Sequence, residues 1–419
     1  MKFPDLLERF LSYVKIDTQS DEESDSFPST LKQFDLAQKL EREMKKMGIE
    51  DVVVNRWGYV TASLRSNREE SMPTIALIAH MDTSPDVSGA NVNPVIHKNY
   101  DGGDIILCRE PGTVLKVSDN PLLNEKKGMT IITTDGKTLL GADDKAGIAE
   151  IMSALNYLME HPDHLRPDIR ILFTPDEETG RGTEKITIDE IRADAGYTVD
   201  GGPIGEIEDE TFCADSVEIS IKGVNVHPGY AKDKLVNAVK IASEIVERLP
   251  KDMDSPETTE GREGYMHPHL LSGNVEEAEL KILIRDFTEK GLKEKEDFIN
   301  NIAHELKGKY QKAVIDVYIK KSYRNMKQVL DHHPEVIEKA EEAVRQSGLE
   351  PSRTSIRGGT DGARLCFMGL PTPNLFTGGN NFHSRYEWIA LEDMEKAAEV
   401  IVRLMGLWAE IKKQGSSPN

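Results

Sequence analysis

TIALIAHMD, residues 74–82, is the stretch on which the fold reading turns. Its apolar run is unbroken from Ile75 to Ala79 and stops at His80 and Asp82. A strand that is apolar at every position has no wet face, so it belongs inside a sheet covered on both sides, as parallel sheets are. Three further stretches share this shape. KTLLGADDK (137–145) runs into Asp143 and Asp144, DIRILFTPDEE (168–178) into Asp176, Glu177 and Glu178, and GYTVDGG (196–202) into Asp200. Between them lie segments with helical spacing: 34–47, closed by Gly48 as a C-cap, and 146–159, closed by His161 and Pro162. Strands alternating with helices predict an α/β domain with a mixed, mostly parallel sheet flanked by helices.

Near residue 210 the texture changes. Residues 216–222 (SVEISIK), 279–287 and 313–320 alternate apolar and polar positions, the pattern of strands with one wet face. Residues 234–249 and 292–306 read as helices between them. A small α+β domain is expected over 211–322, with 1–210 and 323–419 forming the first domain. Helical spacing resumes at 334–347 and again at 391–411, and the tail GSSPN is expected to fray. The acidic stretches 17–25 and 252–263 read as solvated loops, and HPH at 267–269 as a polar loop.

Composition narrows the function. The chain has 419 residues, with Lys plus Arg 52 against Asp plus Glu 73, a net charge of −21. That balance argues against nucleic-acid binding, which relies on basic clusters, and against anchoring on an anionic membrane. No apolar run approaches the roughly 20 residues that span a bilayer. The first 17 residues are interrupted by Asp5, Glu8, Arg9 and Lys15 and read as an amphipathic helix, not a signal peptide. The cysteines, Cys108, Cys213 and Cys366, are scattered and lack C-x-x-C spacing, so neither a disulfide framework nor a cysteine zinc site is expected. A cytoplasmic location follows as the simplest expectation.

The strand ends carry the chemistry. In open α/β sheets, ligands bind outside the carboxyl ends of the strands. Four such ends, nearly all acidic, would repel one another unless a cation joined them, and a divalent metal such as zinc suits convergent oxygens and imidazole. His80 and Asp82 are two apart and share a face in extended backbone, so Asp82 is placed to fix the imidazole tautomer. Of Glu177 and Glu178, one is placed to bind metal and the other to act as general base. A second histidine is supplied by the glycine-rich FTGGNNFHS, at His383.

The motifs HMDTSPD, GADDKAG, PDEETGRG, TVDGG and NFH, in this order, resemble the di-zinc exopeptidases related to glutamate carboxypeptidase. The likeness runs over nearly the whole chain. Within that family it is strongest to the branch that removes the N-terminal residue of tripeptides, through ERFLSYVKIDTQSD, IKGVNVHPGYAK, GGTDGARL and GLPTPNLFTGG. The resemblance implies two Zn²⁺ per subunit. Asp143 would bridge them, His80 and Asp200 would complete one set of ligands, and Glu178 and His383 the other. Asp82 would orient His80, and Glu177 would be the general base. A cis peptide is implied at Asp143–Asp144. Domain 211–322 becomes an inserted lid, on which His227 would stabilise the oxyanion and Arg285 would hold a substrate carboxylate. In some relatives that histidine comes from a partner subunit, so a homodimer is compatible with the resemblance. Ser384 departs from the glycine that the family pattern places after this histidine. Short peptides are the implied substrates. The same chemistry would also serve a related dipeptidase, carboxypeptidase or acyl-amino-acid deacylase, and a non-catalytic zinc-binding scaffold is the remaining alternative.

Overall fold

The computed structural model describes residues 1–109 and 112–410. The chain divides into two compact units, one of Met1–Asp209, Gln328–Thr354 and Thr360–Asn419, the other of Glu210–Lys327 and Ser355–Gly359. The sequence reading places Glu210, 323–327 and 355–359 with the first unit. The structure places them with the second.

The first unit is built on an eight-stranded sheet. Its strands lie in the order Glu50–Val54, Val60–Leu64, Ile169–Thr174, Ile75–His80, Ala195–Gly201, Asn374–Phe376, Glu206–Thr211, Ser352–Ile356. The four central strands, from Ile169–Thr174 to Asn374–Phe376, run parallel, while Glu50–Val54, Val60–Leu64 and Glu206–Thr211 pair antiparallel. Every residue of Ile75–His80 is buried, as the unbroken apolar run requires. Helix Ala142–Glu160 packs against strands Ile75–His80 and Ala195–Gly201 and on helices Leu6–Tyr13 and Leu391–Trp408. Gly147 permits this approach: a Cβ there would collide with the carbonyl oxygen of Val199 and the carboxylate of Asp144. Helix Gln33–Met47 ends at Gly48, whose φ of 87° places it in the left-handed region that suits glycine.

The second unit has the element order β-α-β-β-α-β, with strands Cys213–Lys222, Tyr265–Gly273, Glu277–Asp286 and Val314–Lys321 and helices Ala238–Arg248 and Glu289–Lys309. One face of its sheet carries Val217, Ile219, Ile221, Leu280, Ile282 and Ile284, which pack with Ile241, Ile245, Ile299 and Leu306 of the helices. Alternate residues such as Glu218 and Glu279 face water. The segment read as a polar HPH loop is part of edge strand Tyr265–Gly273, paired antiparallel with Glu277–Asp286 through a bulge between Pro268 and Leu270. An edge strand tolerates the missing proline N–H. Its exposed residues also leave no burial alternation to read.

Among the described residues, no helix is long and apolar enough to cross a membrane. The last helix ends at Trp408. Ile411 of the expected helix, and the tail GSSPN, lie outside the described residues.

Candidate metal centre

Register brings the strand ends together. His80 pairs with Thr174 and Ile78 with Thr198, so Asp200, Glu177 and Glu178 all follow onto the same edge of the sheet. Phe376 pairs with Gly201, and the chain leaving it leads to His383. Opposite, Asp143 sits at the start of helix Ala142–Glu160, where Asp143 (φ −84°, ψ 105°) and Asp144 (φ −121°, ψ 32°) are not helical and the peptide joining them is cis.

Asp143 lies between the two histidines. Its Oδ1 is 2.8 Å from His80 Nε2, and its Oδ2 is 3.2 Å from His383 Nε2. On one side His80 Nε2 is also 3.3 Å from Asp200 Oδ1, and on the other His383 Nε2 is 2.9 Å from Glu178 Oε2. One ligand-type atom from each of His80, Asp143 and Glu178 lies within 4.8 Å of the others, and so it is for His80, Asp144 and Asp200. Asp144, which the sequence reading places at the end of an apolar run but in neither ligand set, is thus a member of the second group. Its Oδ2 accepts the backbone N–H of His80 at 3.0 Å, and its Oδ1 is buried without a hydrogen-bond partner among the described residues.

Asp82 is fully buried. Its carboxylate accepts the backbone N–H groups of Glu177 (3.0 Å) and Glu178 (3.2 Å), fixing the turn that presents both side chains. His80 Nδ1 is nearest the backbone carbonyl of Asp82, at 3.0 Å, with the carboxylate at 3.4 Å. Residue 82 therefore holds the imidazole mainly through its main chain. His383, itself in left-handed backbone (φ 57°), places Nδ1 3.1 Å from Asp86 Oδ2, a partner absent from the sequence reading. Ser384 adopts no left-handed φ, and its hydroxyl donates to the Asn381 carbonyl at 2.7 Å, so serine fits this turn. Behind Asp200, Asn374 accepts its backbone N–H at 3.1 Å and donates to Glu208 at 2.6 Å. Nothing in the local spacing of Asp86, Asn374 or Glu208 signals these roles, which depend on partners far away in the chain.

The electrostatics call for positive charge. Burial alone would lower the His80 imidazolium, but Asp200, Asp143 and Asp82 together hold it well above its usual range. His383 is likewise opposed by burial, yet Asp143 and Glu178 raise it to about 11. Burial, then Asp143, pushes Glu178 up to about 8. Burial raises Asp200 to about 6, and raises Glu177 well above the usual carboxylate range with help from Asp200, Asp361 and Glu178. The cluster thus holds more carboxylates than its two imidazoles can neutralise. Glu178 Oε1 is buried with no hydrogen-bond partner among the described residues. A donor set of imidazole and carboxylate with such an unused oxygen fits divalent metal.

His227 and Arg285 belong to the second unit. His227 is exposed, and its Nδ1 accepts the Gly229 N–H at 3.1 Å, which leaves the neutral ring's proton on Nε2 as a free donor. Arg285, on strand Glu277–Asp286, donates Nη1 to the carbonyls of Ile284 (2.9 Å) and Asp215 (3.2 Å), and its guanidinium lies 5.7 Å from the Tyr323 ring centroid.

Residues 133–406 match the model of peptidase family M20/M25/M40. The chain belongs to this family. As a member it is a peptidase. It is 49% identical over 405 residues to peptidase T of Caldanaerobacter subterraneus subsp. tengcongensis, covering 97% of this chain and 99% of that one. Among solved structures it resembles aminopeptidase PepT from Bacillus cereus, with TM-score 0.75 and 23% identity over 98% of this chain and 100% of that one. It also resembles a tripeptidase from Staphylococcus aureus, with TM-score 0.77 and 21% identity over 98% and 100%. The α/β architecture with a mostly parallel central sheet is the fold these two structures share with this chain.

Proposed function

We propose that this protein is a metal-dependent aminopeptidase that releases the N-terminal residue of tripeptides, with two zinc ions as its cofactors. The observation that carries the reading is Asp143, with one carboxylate oxygen directed to each of two histidines that have their own carboxylates beside them. Near-full-length identity of 49% to a peptidase T supports the substrate class.

His80 and Asp200 would hold one ion, Glu178 and His383 the other, with Asp143 shared. When bound, such a pair acidifies water and polarises a carbonyl. Glu177 takes the proton of the attacking water and delivers it to the leaving amine. Asp82, through the backbone of 177 and 178, keeps the base and the neighbouring ligand in fixed relation. On the second unit, proposed to act as a lid over 211–322, His227 Nε2–H is a donor for oxyanion charge, and Arg285 a partner for the free carboxylate of a short peptide. A homodimer is compatible with this arrangement; nucleic acid and membrane have no part in it.

The test is hydrolysis of unblocked di-, tri- and tetrapeptides by zinc-loaded protein, with products identified. Release of the N-terminal residue, fastest from tripeptides, is expected. Release of the C-terminal residue, or of an acyl group only, would overturn the reading.

A further inference from the structure

We infer that Glu387 is a positioning residue that fixes Asp143 between the two metal subsites. The inference rests on the two-ion reading above. Glu387 lies four residues beyond His383 and is 1% exposed. Its carboxylate is directed entirely at backbone. Oε2 accepts the N–H groups of Leu140 (2.6 Å) and Gly141 (2.8 Å), and Oε1 accepts that of Asp143 at 3.1 Å. Gly141, with φ 81°, provides the left-handed turn in which these N–H groups face one acceptor.

A buried carboxylate is costly unless its oxygens are satisfied. Here both oxygens are satisfied by the single turn that carries the shared ligand. Asp143 needs that control more than any other residue in the cluster, because its two oxygens serve opposite sides, at 2.8 Å from His80 and 3.2 Å from His383. A small backbone rotation at 143 that improved one contact would lengthen the other. Glu387 also sits on the same short segment as His383, so its grip ties the loop of one ligand to the turn of another across a sequence separation of 244 residues. Its oxygens bond backbone N–H groups and not the histidines, so its role is exerted through Asp143.

The experiment uses the full-length protein as wild type, Glu387→Gln and Glu387→Asp. Glutamine keeps the volume but turns an N–H₂ toward backbone donors, and aspartate keeps the charge but falls short of them. Far-UV circular dichroism checks folding, and aspartate serves if glutamine does not fold. Zn²⁺ affinity and stoichiometry are read by competition with a chromophoric chelator. Mn²⁺-loaded samples are read by electron paramagnetic resonance, in which two carboxylate-bridged ions give an exchange-coupled spectrum. Expected is a loss of about tenfold or more in affinity at both sites together, with replacement of the coupled spectrum by that of isolated ions. A folded variant that takes up two ions within about twofold of wild-type affinity and keeps the coupled spectrum would overturn the assignment of Glu387 alone. Wild-type protein that takes up fewer than two ions would overturn the two-ion reading and this inference with it.

Discussion

Replacing Glu177 by glutamine separates the proposed base from the proposed ligands. Glu177 is in neither of the two groups of ligand-type atoms, and its backbone N–H stays held by Asp82 at 3.0 Å whatever the side chain. The substitution is nearly isosteric and removes only the ability to take a proton. A positioned general base contributes about 10²–10⁴-fold, or roughly 3–5 kcal/mol of barrier at about 1.4 kcal/mol per decade. The expected kcat on an unblocked tripeptide falls by that factor, while elemental analysis still finds two zinc ions per chain. Stability moves the other way. Burial and the charges of Asp200, Asp361 and Glu178 disfavour the Glu177 carboxylate, so a neutral amide should leave the melting temperature of metal-free protein unchanged or raised. A variant with kcat within about tenfold of wild type would refute the base assignment. A variant that lost zinc would refute the separation of base from ligand.

Asp86→Ala removes the acceptor of His383 Nδ1 and should weaken the ion on the His383 side by about 10–100-fold while leaving the His80 side intact, as resolved by zinc titration. Gly147→Ala forces helix Ala142–Glu160 away from Val199 and should cost about 1–3 kcal/mol in urea unfolding, with metal uptake reduced in step. Glu208 is pushed up to about 8 by burial, although Asn374 donates to it. A raised carboxyl pKa means that the folded state binds the extra proton. Its contribution is full below the unfolded value of about 4.5 and is lost as pH rises toward 8. Metal-free protein should therefore lose on the order of a few kcal/mol across that window, and Glu208→Gln should flatten this part of the profile. An unchanged slope in the variant would contradict the buried-acid account.

The parts of the fold that the sequence makes legible are those where burial is one-sided or complete. The run Ile75–Ala79 reads as an interior strand because nothing polar interrupts it, and residues 216–222 read as a half-wet strand because alternation is clean. Strand Tyr265–Gly273 escapes the same reading: its Pro268 and exposed residues give neither signal, and only pairing with Glu277–Asp286 makes it a strand. The site divides in the same way. His80, Glu178 and Asp200 stand where apolar runs stop, so their place is written locally. Asp144, Asp86, Glu387 and the Asn374–Glu208 pair act through contacts spanning up to 297 residues. No spacing rule reaches that far. Asp82 shows a finer limit. Two-residue spacing rightly puts it near His80, but the structure commits its carboxylate to the backbone of Glu177 and Glu178.

The most direct measurement is anomalous diffraction at the zinc edge from crystals grown with zinc. Two peaks are predicted, each about 2 Å from a different oxygen of Asp143, one also beside His80 and Asp200 and the other beside Glu178 and His383. A single peak, or peaks out of bonding reach of Asp143, would contradict the account.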